Sequence, residues 1–269
     1  MCLLVIAWQA HSRYRLVVAA NRDEFHERPT APMSQWPPPH DILAGRDLRA
    51  NGTWLALDPR RRFGVVTNFR DLQEPQPGAP SRGTLIPRFL SGDSGAGDFL
   101  AALEPEAPAY SGFNLLLSDA DSLWYGCNRI GPPGTGPQAS PFRRCLPPGV
   151  YGLSNQFLDT PWPKLRRVRR RFETWLGQAG AQSSEELFTM LDDRTTVDSD
   201  EELPRTGLPP QWERILSAPF VLHPDYGTRS STVLLLEHSG AFVMTERRFD
   251  GQGVPSGESR WELQAGDWS

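Results

Sequence analysis

The chain has 269 residues, a net charge of −4 and a hydrophobic fraction of 38%. That length can bury a full core without staples. The charge balance gives no electrostatic case for nucleic acid or an anionic membrane as the main partner. The three cysteines, Cys2, Cys127 and Cys145, form neither a disulfide framework nor a metal-ligand spacing. A reducing, cytoplasmic setting is therefore expected. The first apolar run lacks a preceding basic region and is too short to span a bilayer, so no signal peptide and no integral membrane contact are expected. Lys164 is the only lysine, which reads as a genomic bias toward arginine.

Residues 2–8 and 14–20 are apolar runs separated by a polar stretch, and they predict a buried hairpin. Cys2 starts the first strand, and residues 21–24 (NRDE) follow the second, so the antiparallel turn makes them neighbours. Residues 29–40 are proline-rich and predict a loop. Residues 53–57 and 63–68 predict a second hairpin closed by residues 58–60. Residues 71–83 read as loop, 95–103 as helix, and 113–118 with 122–127 as a third hairpin. Residues 131–149 read as loop and 150–154 as a short strand. Apolar positions 165, 168, 172, 175 and 176 predict a helix over 164–176, and 185–191 predicts another. Residues 232–237 and 241–246 predict a last hairpin. Strands in hairpins and helices in the middle of the chain argue for antiparallel sheets with helices outside, in a single domain over 1–269.

Cysteine at position 2 has a particular chemistry. Removal of Met1 would leave a residue with both a thiol and a free α-amine. That amine titrates near ~7.7–8, so it can act as general base toward its own thiol. Asp23, Asn68, Asn155 and Arg229 join Cys2 as candidates: a carboxylate, two amides at strand ends and a guanidinium before a strand. An asparagine fixed at a strand end can donate to a developing oxyanion. Read singly, each is equally a turn residue, a cap or a surface charge. Asn21, Arg22 and Glu24 are the candidate substrate contacts.

The segments MC, AANRDE, AGRDLRANGTWLAL, FGVVTNFRD, YSGFNLLL, GVYGLSNQFLDTPWPKL and GTRSSTVLLL run in order through the chain. With them the sequence resembles the NRDE family, also called the transport and Golgi organisation 2 family. That family is in turn distantly similar to the cysteine N-terminal nucleophile hydrolases, the penicillin V acylase and bile-salt hydrolase group. The resemblance implies an α+β fold, a four-layer αββα sandwich of two antiparallel sheets. It implies that Cys2 is the nucleophile, with Asn68 in the oxyanion hole and Asn155 and Arg229 beside it. It departs from the group's pattern in one place. The group separates its early Arg and Asp by two residues, whereas Arg22 and Asp23 are adjacent. Asp23 is then expected to hold the α-amine, with Arg22 on the other side of the sheet.

Two functions follow. One is an N-terminal cysteine amidohydrolase that cleaves an amide or thioester of a small acylated molecule and needs no cofactor. The other, suggested by the family's association with haem and lipid handling, is a carrier of haem or acyl-CoA on the same fold. Its haem ligand would come from His, Cys or Met. The histidines are His11, His26, His40, His223 and His238, none in a CxxCH motif. The arginine-rich stretch over 166–171 reads as a solvated helix face that could also meet propionates or phosphates.

Overall fold

The computed structural model describes residues 2–70, 78–129, 142–179 and 183–268, with Cys2 described for its backbone alone. In chain order the first strands are β1 (Cys2–Trp8), β2 (Tyr14–Phe25), β3 (Thr30–Gln35), β4 (Leu43–Asp47), β5 (Leu55–Leu57) and β6 (Phe63–Asn68). Next come β7 (Phe113–Ser118), β8 (Leu123–Cys127), β9 (Arg143–Leu146), β10 (Gly149–Leu153), β11 (Tyr226–Glu237), β12 (Phe242–Phe249) and β13 (Pro255–Leu263). The α-helices are α1 (Leu85–Ser91), α2 (Ala96–Leu103), α3 (Pro163–Leu176), α4 (Ser184–Leu191) and α5 (Pro210–Ile215). The chain separates into two compact units, Met1–Arg28 with Pro148–Ser269, and Pro29–Pro147. Each is built on one open antiparallel sheet, so the fold class is α+β with two antiparallel sheets.

In the first unit the strand order is β10-β1-β2-β11-β12-β13. Side chains alternate across a sheet. One set, including Leu3, Val5, Val17, Ala19, Val233 and Leu235, packs under Leu165, Val168 and Phe172 of α3 and Leu187 and Leu191 of α4. The alternate set, including Leu4, Ile6, Leu16, Val18, Leu234 and Leu236, is buried as well. Burial on both faces explains why β1 and the first half of β2 read as unbroken apolar runs. Helix α3 comes very close to β10. A Cβ built on Gly152 would lie 2.7 Å from Leu165 Cδ1 and 3.0 Å from its Cγ. Gly152→Ala is therefore expected to destabilise by about 1–2 kcal/mol through overpacking, read as a lower urea midpoint with an unchanged slope.

The second unit is a seven-stranded meander, β3-β4-β5-β6-β7-β8-β9. Ala44, Ala56, Val66, Leu115 and Leu117 pack under Ile86 and Phe89 of α1 and Phe99, Leu100 and Leu103 of α2. The N-cap of α2, Gly95, offers no side-chain acceptor. Asp119, in the β7–β8 turn, supplies one instead. Its Oδ2 accepts from the Ala96 amide at 2.9 Å, and its Oδ1 accepts from the Asp121 and Ser122 amides and the Ser122 hydroxyl. Burial pushes this carboxyl up, but the donors outweigh it and hold the group below its ordinary value. The folded pKa is thus lower than the unfolded one. The contribution is complete above the unfolded value and is lost as pH falls through the folded one. Asp119→Asn is expected to flatten the loss of stability as pH falls below the ordinary carboxylate range, measured as urea midpoints against pH.

Five sequence expectations change. β2 does not stop at residue 20 but carries residues 21–24 inside the strand, because β1 and β11 pair with it on both sides. The proline-rich loop contains β3, where Pro32 sits in an irregularity between Ala31 and Ser34 of an edge strand, a place where proline costs no ladder bond. β9 lies within the expected loop over 131–149, of which residues 131–141 fall outside the described residues. β11 begins at Tyr226, so Arg229 lies within a strand and not before one. The last hairpin extends to a three-stranded edge through β13, whose exposed alternating charges hide it from an apolar reading. Among the described residues, no helix is long and apolar enough to cross a membrane.

Candidate functional site

The end of the first sheet where β1 begins collects most of the candidate residues. The register places Cys2 opposite Arg22 on β2, and Arg22 opposite Ser230 on β11. Positions directly opposite share a face, so positions 2, 22 and 230 form a row across three strands. This reverses the expectation for Arg22, which shares the face of position 2. On the other flank β10 pairs Leu153 with Leu4. Asn155 lies two residues beyond Leu153, and Cys2 lies two residues before Leu4, so the chain brings Asn155 to the same end. Asn155 is fully buried and left-handed, with φ of 59°, a conformation asparagine tolerates better than most residues.

Asp23 falls on the helix-covered face by alternation and is fully buried. Thr228 donates to its Oδ1 at 2.7 Å, and the same hydroxyl accepts from the Val221 amide at 2.9 Å. A register shift between Thr228 and Ser230 makes Arg229 the extra residue of a bulge. A bulge turns two consecutive residues toward one partner, so both Arg229 and Ser230 address Arg22. Arg229 Nη1 donates to the carbonyls of Phe25, His26 and Arg28 at 3.0, 3.1 and 3.3 Å, which ties down the turn after β2. Burial and then the neighbouring Arg22 guanidinium hold Arg229 below the usual guanidinium range, with Glu24 opposing. Glu24 stands 3.8 Å from Arg22 and 3.7 Å from Arg28.

Asn21 serves a different purpose. It is fully buried, and its Nδ2 donates to the carbonyls of Leu191 and Pro219 at 2.9 and 3.0 Å. Its Oδ1 accepts from the Ser231 hydroxyl at 2.6 Å. Those bonds lock β2 to β11 and to the end of α4, away from the face of position 2. Asn68 closes β6 in the other unit, on the other sheet. Met1 and the Cys2 side chain lie outside the described residues.

A model of the family described as Transport and Golgi organisation 2 matches residues 1–251. The chain belongs to that family. It is similar to the mouse (Mus musculus) Transport and Golgi organization 2 homolog, 31% identical with 97% of this chain and 96% of the mouse protein covered. The bovine (Bos taurus) homolog is 32% identical, with 97% and 96% covered. The human (Homo sapiens) homolog is 30% identical, with 98% and 97% covered.

The strand pairing separates roles that the NRDE run conceals. Arg22 and Glu24 alternate onto one face, while Asn21 and Asp23 alternate onto the other. Two further residues, Thr228 and Ser230, enter the site through β11. The GTRSST stretch holds them, but only the bulge decides their faces. The histidines considered as haem ligands are each engaged by the chain. His11 Nδ1 accepts from the Arg13 and Tyr14 amides, and His26 Nε2 lies 3.0 Å from the His223 carbonyl. His40 lies 2.9 Å from the Ser91 hydroxyl, His223 Nδ1 accepts from the Asp225 amide, and His238 lies 3.1 Å from the His11 carbonyl. Among the described residues, no group of three or more His, Cys, Asp or Glu could hold a metal ion.

Proposed function

We propose that this protein is an N-terminal cysteine amidohydrolase that cleaves an amide or thioester of a small acylated molecule. The observation that carries this reading is the register at the start of β1, which sets Cys2 opposite Arg22 on β2, while β10, paired with β1 on its other flank, ends two residues before Asn155. A first residue anchored in the middle of a sheet has a defined position, which a nucleophile requires.

With Met1 removed, the neutral α-amine of Cys2 takes the thiol proton. The thiolate attacks the substrate carbonyl carbon, and the carbonyl π electrons move to oxygen. In this reading Asn155 and a backbone amide are the donors for that oxyanion. The oxyanion collapses, the C–N or C–S bond breaks, and the ammonium proton passes to the leaving amine or thiol. Water then attacks the thioester with the amine again as base, releasing the acid and restoring the thiol. The α-amine lies in the plane of the strand and not on a face. Asp23 can therefore orient it from the helix side, held in turn by Thr228.

Intact mass of the protein purified from cells tests the first requirement. The expected mass lacks Met1; retention of Met1 in every molecule would remove the α-amine base and refute the mechanism. A saturable Soret shift on haem titration, with no turnover of any acyl probe, would favour the carrier function instead.

A further inference from the structure

We propose that β13 is a docking edge for a second copy of this chain. Two copies pair their β13 strands antiparallel about a two-fold axis at Ser259, which joins their six-stranded sheets edge to edge. The surface is independent of the chemistry proposed for Cys2. It also lies outside the residues 1–251 that the family model matches, since β13 begins at Pro255.

The two edges of this sheet differ. The chain closes the β10 edge with its own groups. The Gly152 amide donates to Asp159 Oδ1 at 2.8 Å, and the Gly152 carbonyl accepts from the Asp159 amide at 2.7 Å. The Val150 carbonyl accepts from Arg169 Nη2 at 3.0 Å. The β13 edge has no such cover. Among the described residues, the backbone of β13 bonds only within its ladder with β12. Pro255, Ser256, Glu258, Arg260 and Glu262 are exposed, and the residues between them are half-buried. β13 is nine residues long, which is about 30 Å of open edge at ~3.4 Å per residue. Such an edge is a template for another strand.

Charge selects a second copy and sets its register. Glu258, Arg260 and Glu262 stand on one face of β13, at alternate positions. Charges of one sign along an edge would keep a second copy away. Here the signs alternate. A two-fold axis at Arg260 would oppose Arg260 with itself and Glu258 with Glu262, all like charges. An axis one residue earlier, at Ser259, opposes Arg260 with Glu258 of the second copy, and symmetry makes that pair twice. An axis at Trp261 also opposes unlike charges, but it leaves only residues 259–263 paired within β13. The Ser259 axis pairs the whole strand, with Pro255 opposite Leu263 of the second copy. Proline at the first position of a strand is compatible with a ladder. On the other face this register sets Trp261 against Gly257 of the second copy, and an aromatic ring fills the gap an edge glycine leaves.

These charges already have partners within the chain. Arg260 donates to Glu262 at 2.7 Å, and Arg247 donates to Glu258 at 2.7 Å. The pairs are exposed, and exposed ion pairs contribute little singly. The main-chain ladder therefore supplies the affinity, and the charge pattern supplies the choice of partner and register.

The test is disulfide trapping in the full-length chain, with Cys2→Ala and Cys145→Ser as background. The remaining Cys127 is buried. Under the oxidant diamide, Ser259→Cys is expected to give a covalent dimer. Opposed Cα atoms in an antiparallel pair lie about 4.5–5.5 Å apart, within disulfide reach. Arg260→Cys is expected to stay monomeric, because its counterpart lies two residues out of register, roughly 8 Å away. Sedimentation velocity of the untrapped wild type, from about 1 to about 200 μM, should show the mass rising toward twice that of one chain, as a small interface implies. Arg260→Glu, which sets three glutamates in a row, should weaken self-association about tenfold or more and leave the urea midpoint unchanged. A monomer at every concentration, no trapping at Ser259→Cys, equal trapping at Arg260→Cys, or self-association untouched by Arg260→Glu would overturn the proposal.

Discussion

Cys2→Ala is expected to lower kcat/KM on an acyl-amide probe by on the order of 10³-fold or more, which is about 4 kcal/mol of transition-state stabilisation. The fold should be unaffected, since Cys2 is the first residue of its strand and alanine keeps the backbone ladder with Arg22. Cys2→Ser separates two explanations. Serine keeps the α-amine as base but is the weaker nucleophile, so slow turnover should survive in it and not in the alanine variant. The other thiols must be kept out of any labelling assay. Cys127 is buried, and burial pushes its thiol up, so it stays protonated at neutral pH. Cys145 is exposed in β9 and would react, so labelling belongs in a Cys145→Ser background. Turnover by Cys2→Ala equal to wild type would refute the nucleophile.

Asn21→Ala should have the largest effect on stability, about 3–5 kcal/mol, seen as a shifted urea midpoint. The side chain is fully buried and makes three hydrogen bonds to three separate segments. Its removal strands the carbonyls of Leu191 and Pro219 and the hydroxyl of Ser231 in the interior, each with a desolvation cost. The effects share one locus and will not add fully. Asn21→Asp should be worse at neutral pH, because a carboxylate would face two carbonyl oxygens. A shift below about 1 kcal/mol would mean that the surrounding chain relaxes to satisfy those groups, and would remove Asn21 as the lock between β2 and α4.

These two residues mark what was legible. The hairpin at the amino terminus, the α+β class and the neighbourhood of Cys2 and residues 21–24 all follow from apolar runs of the right length joined by a short polar stretch. The helices α3 and α4 follow from spacing that matches a buried stripe. The roles within NRDE do not follow, because a polar run carries no apolar period to show which side chain faces which way. The same limit hid β3 and β13, whose pairing depends on edges and partners distant in sequence. It also hid the face to which Ser230 turns, which depends on a one-residue bulge.

By itself, then, the sequence determined that this chain builds antiparallel sheets from local hairpins and that its first strand begins with a cysteine beside a charged run. Hairpin pairing is short-range, so the chain's own turns specify it. The tertiary structure alone decided that Arg22 shares the face of Cys2, that Asn21 is a core lock, and that Arg229 and Ser230 both turn toward Arg22. Those outcomes rest on the pairing of β2 with β11, some 200 residues away, whose register and bulge no local pattern encodes.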